Sequence, residues 1–115
     1  MKVLIVDDNR DITELLADFM DLSGFETATA GNGLEAMDKL RQNRFDTVIM
    51  DGHMPYMSGF DLCRFIKSEY PSVYTIGITD SASLEKFREA GADEYFYKPV
   101  DCDMLCALIE KHGAL

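Results

Sequence analysis

Short apolar runs alternate with helix-like segments along the whole chain, about every ten residues. The first run, from Val3 to Val6, contains no polar residue, as expected of a strand that is covered on both faces. The segment after it carries Ile12, Leu16 and Phe19 at helical spacing. Five strand and helix units in a row predict a parallel sheet with helices on both faces.

The predicted fold is an α/β fold of the flavodoxin-like (βα)5 type, a doubly wound parallel five-stranded sheet in the strand order 2-1-3-4-5. The predicted strands span residues 3–6, 25–30, 45–50, 74–78 and 94–97, and the helices begin near 11, 33, 60, 83 and 101. The apolar faces are predicted to carry Ile12, Leu15, Leu16, Phe19 and Met20 in the first helix, Leu34, Met37 and Leu40 in the second, and Met104, Leu105, Leu108 and Ile109 in the last. The fourth helix has few apolar residues, so we expect low local stability there.

The chain has 115 residues, a formal net charge of −10 and 47% hydrophobic residues. This length predicts one domain, residues 1–115, with room for a proper core. The acidic balance disfavours direct binding of nucleic acid or of an anionic membrane, because contacts with phosphate need clustered Lys and Arg. No apolar stretch is long enough to span a bilayer, and the N-terminus lacks the pattern of a signal peptide. We therefore expect a cytoplasmic protein.

Three cysteines, Cys63, Cys102 and Cys106, form no CxxC pair. In a cytoplasmic protein we expect no structural disulfide among them. Cys102 and Cys106 lie one helical turn apart and could share a metal with His112, but these spacings match no known zinc pattern. We predict instead that they pack on the apolar face of the last helix.

Charged residues follow three of the predicted strands. Asp7 and Asp8 follow the first, Asp51 the third and Lys98 the fifth. Because the ligand crevice of a parallel sheet lies outside the carboxyl ends of its strands, we expect these four residues in one pocket. Neighbouring carboxylates persist as anions only beside a cation, and Mg²⁺, with Mn²⁺ as an alternative, prefers such oxygen ligands. A lysine opposite the metal indicates an anionic substrate, most simply a phosphoryl group.

These residues belong to a longer set of motifs that occur in a fixed order. The set consists of Leu4-Ile5-Val6-Asp7-Asp8-Asn9, the run DGHMPYMSG from Asp51 to Gly59, Thr79, Gly91-Ala92-Asp93 and Lys98-Pro99. Together they resemble the CheY-like receiver domain of two-component response regulators, over essentially the whole chain. The resemblance implies a signalling switch of a phosphorelay, not a metabolic enzyme. Its only chemistry would be self-catalysed phosphotransfer and autodephosphorylation.

The resemblance also implies roles for the residues of the acidic pocket. Asp51 matches the phosphoacceptor, which takes a phosphoryl group from a sensor histidine kinase or a histidine phosphotransfer protein. Asp8 and Asp51 would bind Mg²⁺ through their side chains, and His53 through its backbone carbonyl. Asp7 would act largely through a metal-bound water.

Four further residues would respond to the attached phosphoryl group. Lys98 would pair with the phosphoryl oxygens, and Pro99, after a cis peptide bond, would direct Lys98 into the pocket. Thr79 matches the hydroxyl that hydrogen-bonds the phosphoryl group, and Tyr95 matches the aromatic switch that turns inward. The fourth helix, last strand and final helix would form the output surface toward a downstream effector protein or effector domain. A phosphorylation-dependent homodimer through this surface stays open.

Two residues beside the acceptor qualify the resemblance. Asp80 follows Thr79, where the family usually has a small residue, and its carboxylate would repel a phosphodonor or a hydrolytic water. We hypothesise that Asp80 alters the dephosphorylation rate or the choice of partner. His53 stands at a position that in the family helps to set the lifetime of the acyl phosphate.

Three alternative functions stay open. A Mg²⁺-dependent phosphohydrolase with an aspartate nucleophile, as in haloacid dehalogenase-like enzymes, would need a second carboxylate where His53 stands. A flavodoxin-like cofactor protein would need a phosphate-binding loop after the first strand, where Asp7 and Asp8 would repel a flavin phosphate. A degenerate receiver would act as a binding module alone. The chain could be a stand-alone receiver or a part of a longer regulator or hybrid kinase.

Overall fold

The structure, a computed structural model that describes residues 1–80 and 83–113, contains the five predicted strands in a single sheet. In chain order the elements are β1 (Lys2–Val6), α1 (Arg10–Leu22), β2 (Glu26–Ala30), α2 (Gly33–Gln42), β3 (Thr47–Asp51), α3 (Gly59–Glu69), β4 (Tyr74–Thr79), α4 (Leu84–Glu89), β5 (Glu94–Tyr97) and α5 (Cys102–Gly113). All pairings are parallel, and the strand order is β2-β1-β3-β4-β5. The predicted flavodoxin-like α/β fold and its strand order are confirmed.

Two apolar cores lie on opposite faces of the sheet. Successive strand residues point to opposite faces, so Leu4 and Val6 enter one core while Val3 and Ile5 enter the other. The first core packs against α2, α3 and α4, and the second against α1 and α5. This double coverage explains why β1 is apolar without interruption.

Polar side chains cap the starts of four helices. The side chains of Asn9, Asn32 and Ser58 accept hydrogen bonds from backbone N–H groups at the first turns of α1, α2 and α3. Asp101 does the same for α5, with its Oδ1 2.9 Å from the backbone nitrogen of Asp103, as predicted. These caps satisfy donors that have no partner within their own helix.

The predicted inward face of α1 is wrong at two positions. Leu16 and Met20 are buried, whereas Ile12 and Leu15 are 41% and 70% exposed. The face that meets the sheet is made by Thr13, Leu16, Ala17 and Met20. The helix carries two apolar stripes, and only one of them can face the sheet, so spacing alone does not decide between them. Leu34, predicted to face inward from α2, is likewise half exposed.

The three cysteines are free thiols that lie in or against the apolar cores. Cys63 and Cys106 are buried, and Cys102 is half-buried against the core of α1 and α5. Burial raises the pKa of each of these thiols. The prediction that Cys102 and Cys106 pack on the apolar face of the last helix is confirmed. Among the described residues, no cluster of three potential metal ligands includes a cysteine.

Among the helices of residues 1–80 and 83–113, none combines the length and the apolar character needed to cross a membrane.

A polar cluster joins α3 to the starts of β4 and β5. Asp93 Oδ2 accepts hydrogen bonds from Lys67 Nζ at 2.6 Å, from Thr75 N at 2.9 Å and from Thr75 Oγ1 at 3.1 Å. Burial alone would raise the pKa of Asp93, but the ammonium of Lys67 and the Thr75 donors together hold this pKa below its usual value. The ionised carboxylate is therefore the form that the fold favours.

This cluster predicts an acid-sensitive contribution to stability. Because folding lowers the pKa of Asp93, its carboxylate stabilises the protein above the ordinary carboxyl range, and this contribution is lost as the pH falls through the lowered pKa. We expect Asp93→Asn to reduce stability at neutral pH, and the difference from the wild type to shrink as the pH falls through the lowered pKa of Asp93. Urea unfolding across this pH range, with the exposed Asp18→Asn as control, measures the effect. A wild-type pH profile in Asp93→Asn would contradict it.

Candidate functional site

The carboxyl ends of β1, β3 and β5 meet at one edge of the sheet and bring four charged residues together. Asp51 ends β3, and Asp7 and Lys98 come directly after β1 and β5. Lys98 Nζ lies 3.5 Å from Asp7 Oδ2 and 3.3 Å from Asp51 Oδ2. One carboxylate oxygen from each of Asp7, Asp8 and Asp51 lies within 4.8 Å of the other two. The charged residues that follow the strands in the sequence thus lie together in the structure.

Burial and repulsion shape the electrostatics of this cluster. Asp7 and Asp51 are only 6% and 7% exposed, whereas Asp8 is exposed. Burial, and then the charge of Asp7, raise the pKa of Asp51 against the opposing effect of Lys98. Burial disfavours the charged form of Lys98, but Asp51 and Asp7 outweigh it and raise the pKa of the lysine. With three carboxylates around one lysine, the site keeps an excess of negative charge.

The donor set suits a hard divalent cation. All three acidic side chains offer oxygen ligands. Lys98 offsets only part of the repulsion among the three carboxylates, and a cation bound between them would offset the rest. Asp7 is oriented for such a site because its Oδ1 accepts a hydrogen bond of 2.9 Å from the backbone nitrogen of Asn9. The other oxygen of Asp7 is the one that faces Lys98.

The same electrostatics predict that the site destabilises the metal-free protein. Because folding raises the pKa of Asp51, its ionised carboxylate lowers stability at neutral pH. We expect Asp51→Asn to raise the thermal midpoint by a few degrees in the presence of a chelator. Calorimetry of this variant beside Asp18→Asn would show the rise in the former only. A lowered midpoint for Asp51→Asn would contradict the prediction.

The loop from β3 to α3 holds Asp51 by close backbone contacts. The nitrogen of Gly59 donates to the carbonyl of Gly52 at 2.9 Å. A Cβ atom at Gly59 would overlap the backbone carbonyl of Asp51, and one at Gly52 would lie 2.6 Å from the Phe60 ring. Both positions require glycine because the backbone and a buried ring leave no room for a side chain.

The family model of the response regulator receiver domain matches residues 3–110. The chain belongs to this family. Receiver domains are signalling switches, which agrees with a charged site built on the ends of strands.

Individual relatives agree with this assignment of a receiver domain. The DNA-binding response regulator MtrA of Mycolicibacterium paratuberculosis is 35% identical over 100 residues, which cover 85% of this chain and 44% of MtrA. The polar-differentiation response regulator DivK of Brucella anthropi is 30% identical over 115 residues, covering 96% of this chain and 94% of DivK. The solved structure of a response regulator receiver domain protein from Clostridium thermocellum matches with a TM-score of 0.89 and 31% identity, covering 96% of this chain and 91% of that one. The matched part of this chain covers less than half of MtrA. The DNA binding in the name of MtrA is therefore a property of that longer protein and is not assigned to this chain.

The remaining residues that the resemblance singles out lie on β4, on β5 or directly after β5 in the receiver domain. Thr79 is fully buried at the end of β4, and its hydroxyl lies 3.4 Å from the carbonyl oxygen of Asp80. Tyr95 is half-buried and pairs in register with Gly77, so it lies on the same sheet face as Thr79. The peptide bond between Lys98 and Pro99 is cis, as the resemblance implies.

Sequence reasoning missed the partner of His53. The His53 ring nitrogen Nε2 lies 3.0 Å from Ser83 Oγ and 3.7 Å from Asp80 Oδ1. The carboxylate of Asp80 is itself 81% exposed. His53 and Ser83 are thirty positions apart, so no local sequence pattern indicates this bond. The bond depends on how two loops approach each other in the receiver domain.

An apolar cavity of about 500 Å³ opens beside the carboxylates of the receiver domain. It lies between α1 and the start of α5 and is lined by Ile5, Ile12, Leu15, Leu16, Ile49, Ile78, Pro99, Val100 and Cys102, besides Asp7, Asp51 and Lys98. The exposed side chains of Ile12 and Leu15 therefore continue an apolar surface that begins at the charged site.

Proposed function

We propose that this receiver domain accepts a phosphoryl group on Asp51 from a phosphohistidine of a sensor histidine kinase or a histidine phosphotransfer protein, in a Mg²⁺-dependent reaction. The observation that carries the proposal is the 3.3 Å distance between Lys98 Nζ and Asp51 Oδ2, beside the carboxylates of Asp7 and Asp8. A nucleophilic carboxylate, a cation for the transferred group and a set of metal ligands lie within one site.

The chemistry follows from the positions of these side chains. An oxygen of Asp51 forms a bond to phosphorus while the bond from phosphorus to the histidine nitrogen breaks, and the imidazole leaves with the electron pair. When bound by Asp8, Asp51 and the carbonyl of His53, Mg²⁺ would offset the negative charge of the phosphoryl oxygens. Lys98 supplies a second positive charge for these oxygens. Hydrolysis of the acyl phosphate by water would reset the site.

We infer that the phosphoryl group changes the output surface through Thr79 and Tyr95. A hydrogen bond to the phosphoryl group would draw the hydroxyl of Thr79 toward Asp51. Tyr95, on the same sheet face, would move inward into the space that this shift opens. Phosphorylation can act only by the free-energy difference that it makes between the two states. The surface of α4, β5 and α5 would then bind an effector or a second copy of the chain.

The surface of α1 supports a protein as the phosphodonor. Ile12, Leu15 and Leu22 are exposed and form an apolar stripe at helical spacing together with Phe19, which is half-buried against the core. Leu22 is 90% exposed. The stripe starts at the apolar cavity beside Asp51. A helix of the donor that lies on this stripe would place a phosphohistidine close to the acceptor.

The test of the proposed function is the intact mass of the protein after incubation with Mg²⁺ and acetyl phosphate, with and without a chelator. We expect a metal-dependent gain of one phosphoryl group that hydroxylamine removes, as it does from an acyl phosphate. No gain from acetyl phosphate or from a phosphohistidine protein would overturn the proposal and leave a receiver that works by binding alone. Sustained release of phosphate from phosphate monoesters would instead favour the aspartate-nucleophile phosphohydrolase.

Asp80 is expected to modulate this reaction through its charge. Its exposed carboxylate comes directly after Thr79 and lies 3.7 Å from Nε2 of His53, where its charge would repel anionic small donors. We expect Asp80→Ala to speed phosphorylation by acetyl phosphate more than phosphorylation by a phosphohistidine protein, and to change the dephosphorylation rate. Mass spectrometry over time measures both rates. Equal rates in Asp80→Ala and the wild type for both donors would remove this role.

A further inference from the structure

The side chain of His53 connects the acceptor loop to the start of α4. Its Nε2 atom is 3.0 Å from Ser83 Oγ, and Ser83 is 8% exposed. The carboxylate of Asp80 faces the same nitrogen at 3.7 Å, beyond ordinary hydrogen-bond distance, so Ser83 is the direct partner. The bond is partly buried: Ser83 lies in the interior, whereas the side chain of His53 is 54% exposed.

Ser83 holds the N-cap position of α4 but does not cap the helix. Serine at this position normally accepts a hydrogen bond from the first turn. Among the described residues, Ser83 makes no side-chain capping bond, and its hydroxyl bonds His53 instead. The start of α4 is therefore held from outside the helix, by a residue of another loop.

Aromatic packing provides a second, indirect connection between His53 and α4, through Phe60 of α3. The His53 ring meets the Phe60 ring edge-on, with 5.5 Å between centroids, and Phe60 packs on Phe87 at 4.6 Å. Phe87 is fully buried and is the residue that anchors the six-residue α4 in the core. Lys86 of α4 also places its ammonium 5.6 Å from the centre of the Phe60 ring. The start of α4 is thus linked to His53 through Ser83, and the middle of α4 is linked to His53 through Phe60 of α3.

We propose that His53 is a positioning residue that latches α4 to the acceptor loop, so that occupancy of the acceptor site is communicated to α4 without passing through Thr79 and Tyr95. The inference rests on the proposed function, because it uses the carbonyl of His53 as a ligand of the metal ion. A ligand that fixes this carbonyl restricts the loop and reduces the entropy lost when the ring bonds Ser83. The bond then forms more fully, and α4 opens less often.

Hydrogen exchange of the α4 amides tests the latch. In the wild type, Mg²⁺ with beryllofluoride, a phosphoryl mimic, is expected to slow exchange in α4 by several-fold. His53→Ala and Ser83→Ala are each expected to speed exchange in the free protein by about fivefold, the factor for one ordinary hydrogen bond, and to remove most of the slowing. The double variant should match either single variant, because both substitutions remove the same bond. His53→Gln, which can keep a donor near Ser83, should recover part of the wild-type behaviour.

Matched variants separate the latch from general destabilisation. His112→Ala removes the other histidine of the chain, and Ser72→Ala removes an exposed loop hydroxyl. Neither should change α4 exchange or its response to beryllofluoride. Additive effects of His53→Ala and Ser83→Ala, or a wild-type response of α4 in either variant, would overturn the latch. Failure of the wild type to bind Mg²⁺ and beryllofluoride, measured by fluorine NMR, would instead overturn the proposed function.

Discussion

Replacing Asp51 by asparagine is expected to abolish the gain of a phosphoryl group from either acetyl phosphate or a phosphohistidine protein. Asparagine has almost the same shape as aspartate but lacks the anionic oxygen that would attack phosphorus. The side chain of Asp51 is buried beside Lys98 at the end of β3, so the variant would lose the carboxylate that lies 3.3 Å from this lysine. Intact mass spectrometry of the variant in the presence of Mg²⁺ measures the loss.

Two comparisons make this result specific to the acceptor. Asp18→Asn, at an exposed position of α1, should gain the phosphoryl group from acetyl phosphate as the wild type does. Asp51→Asn is also the variant for which we expect higher stability without metal, so inactivity together with a raised thermal midpoint would exclude misfolding as the cause. A phosphorylated Asp51→Asn protein, with the group mapped to Asp8 or elsewhere, would disprove the assignment of the acceptor.

Replacing Gly59 by alanine is expected to lower the free energy of unfolding by at least about 3 kcal/mol. The added Cβ would overlap the backbone carbonyl of Asp51, which is rigid and belongs to the central strand β3. Gly59 begins α3, where alanine is a better helix former than glycine, so helix propensity alone would predict the opposite sign. Urea unfolding of the variant decides between the two effects.

Gly31→Ala provides the matched control for this substitution. Its Cβ would meet only the flexible carboxylate of Glu35 at 3.5 Å, an ordinary contact distance. We expect a change of less than about 1 kcal/mol for this variant, because no backbone atom must move. Similar losses of unfolding free energy for Gly31→Ala and Gly59→Ala would show that the close approach of Gly59 to the Asp51 carbonyl is not the cause of the destabilisation.

The alternation of apolar and helical segments was sufficient to predict the sheet, its order and the meeting of Asp7, Asp51 and Lys98. These features follow from local periodicity and from the rule that parallel strands end at one edge. Motif order carried the family assignment, which the match over residues 3–110 confirms. The roles of the individual site residues stay predictions until the acceptor experiments are made.

Helical spacing did not predict which residues of α1 are buried, because this helix carries more apolar residues than one face can hold. Ile12 and Leu15 fit the same helical period as Leu16 and Met20, yet only the latter pair is buried. The choice depends on the small side chain of Ala17 and its neighbours, which let α1 approach the sheet on that side. Which apolar stripe of α1 is exposed therefore depends on how the sheet and α5 pack against this helix.

The sequence by itself determined the order of the elements and the kind of charge at the end of each strand, because both depend on residues that are neighbours in the chain. Only the tertiary structure decided that Asp93 is held by Lys67 and Thr75, and that His53 bonds Ser83 instead of projecting freely from its loop. Such contacts join residues far apart in the chain, and their geometry exists only once the helices have packed against the sheet.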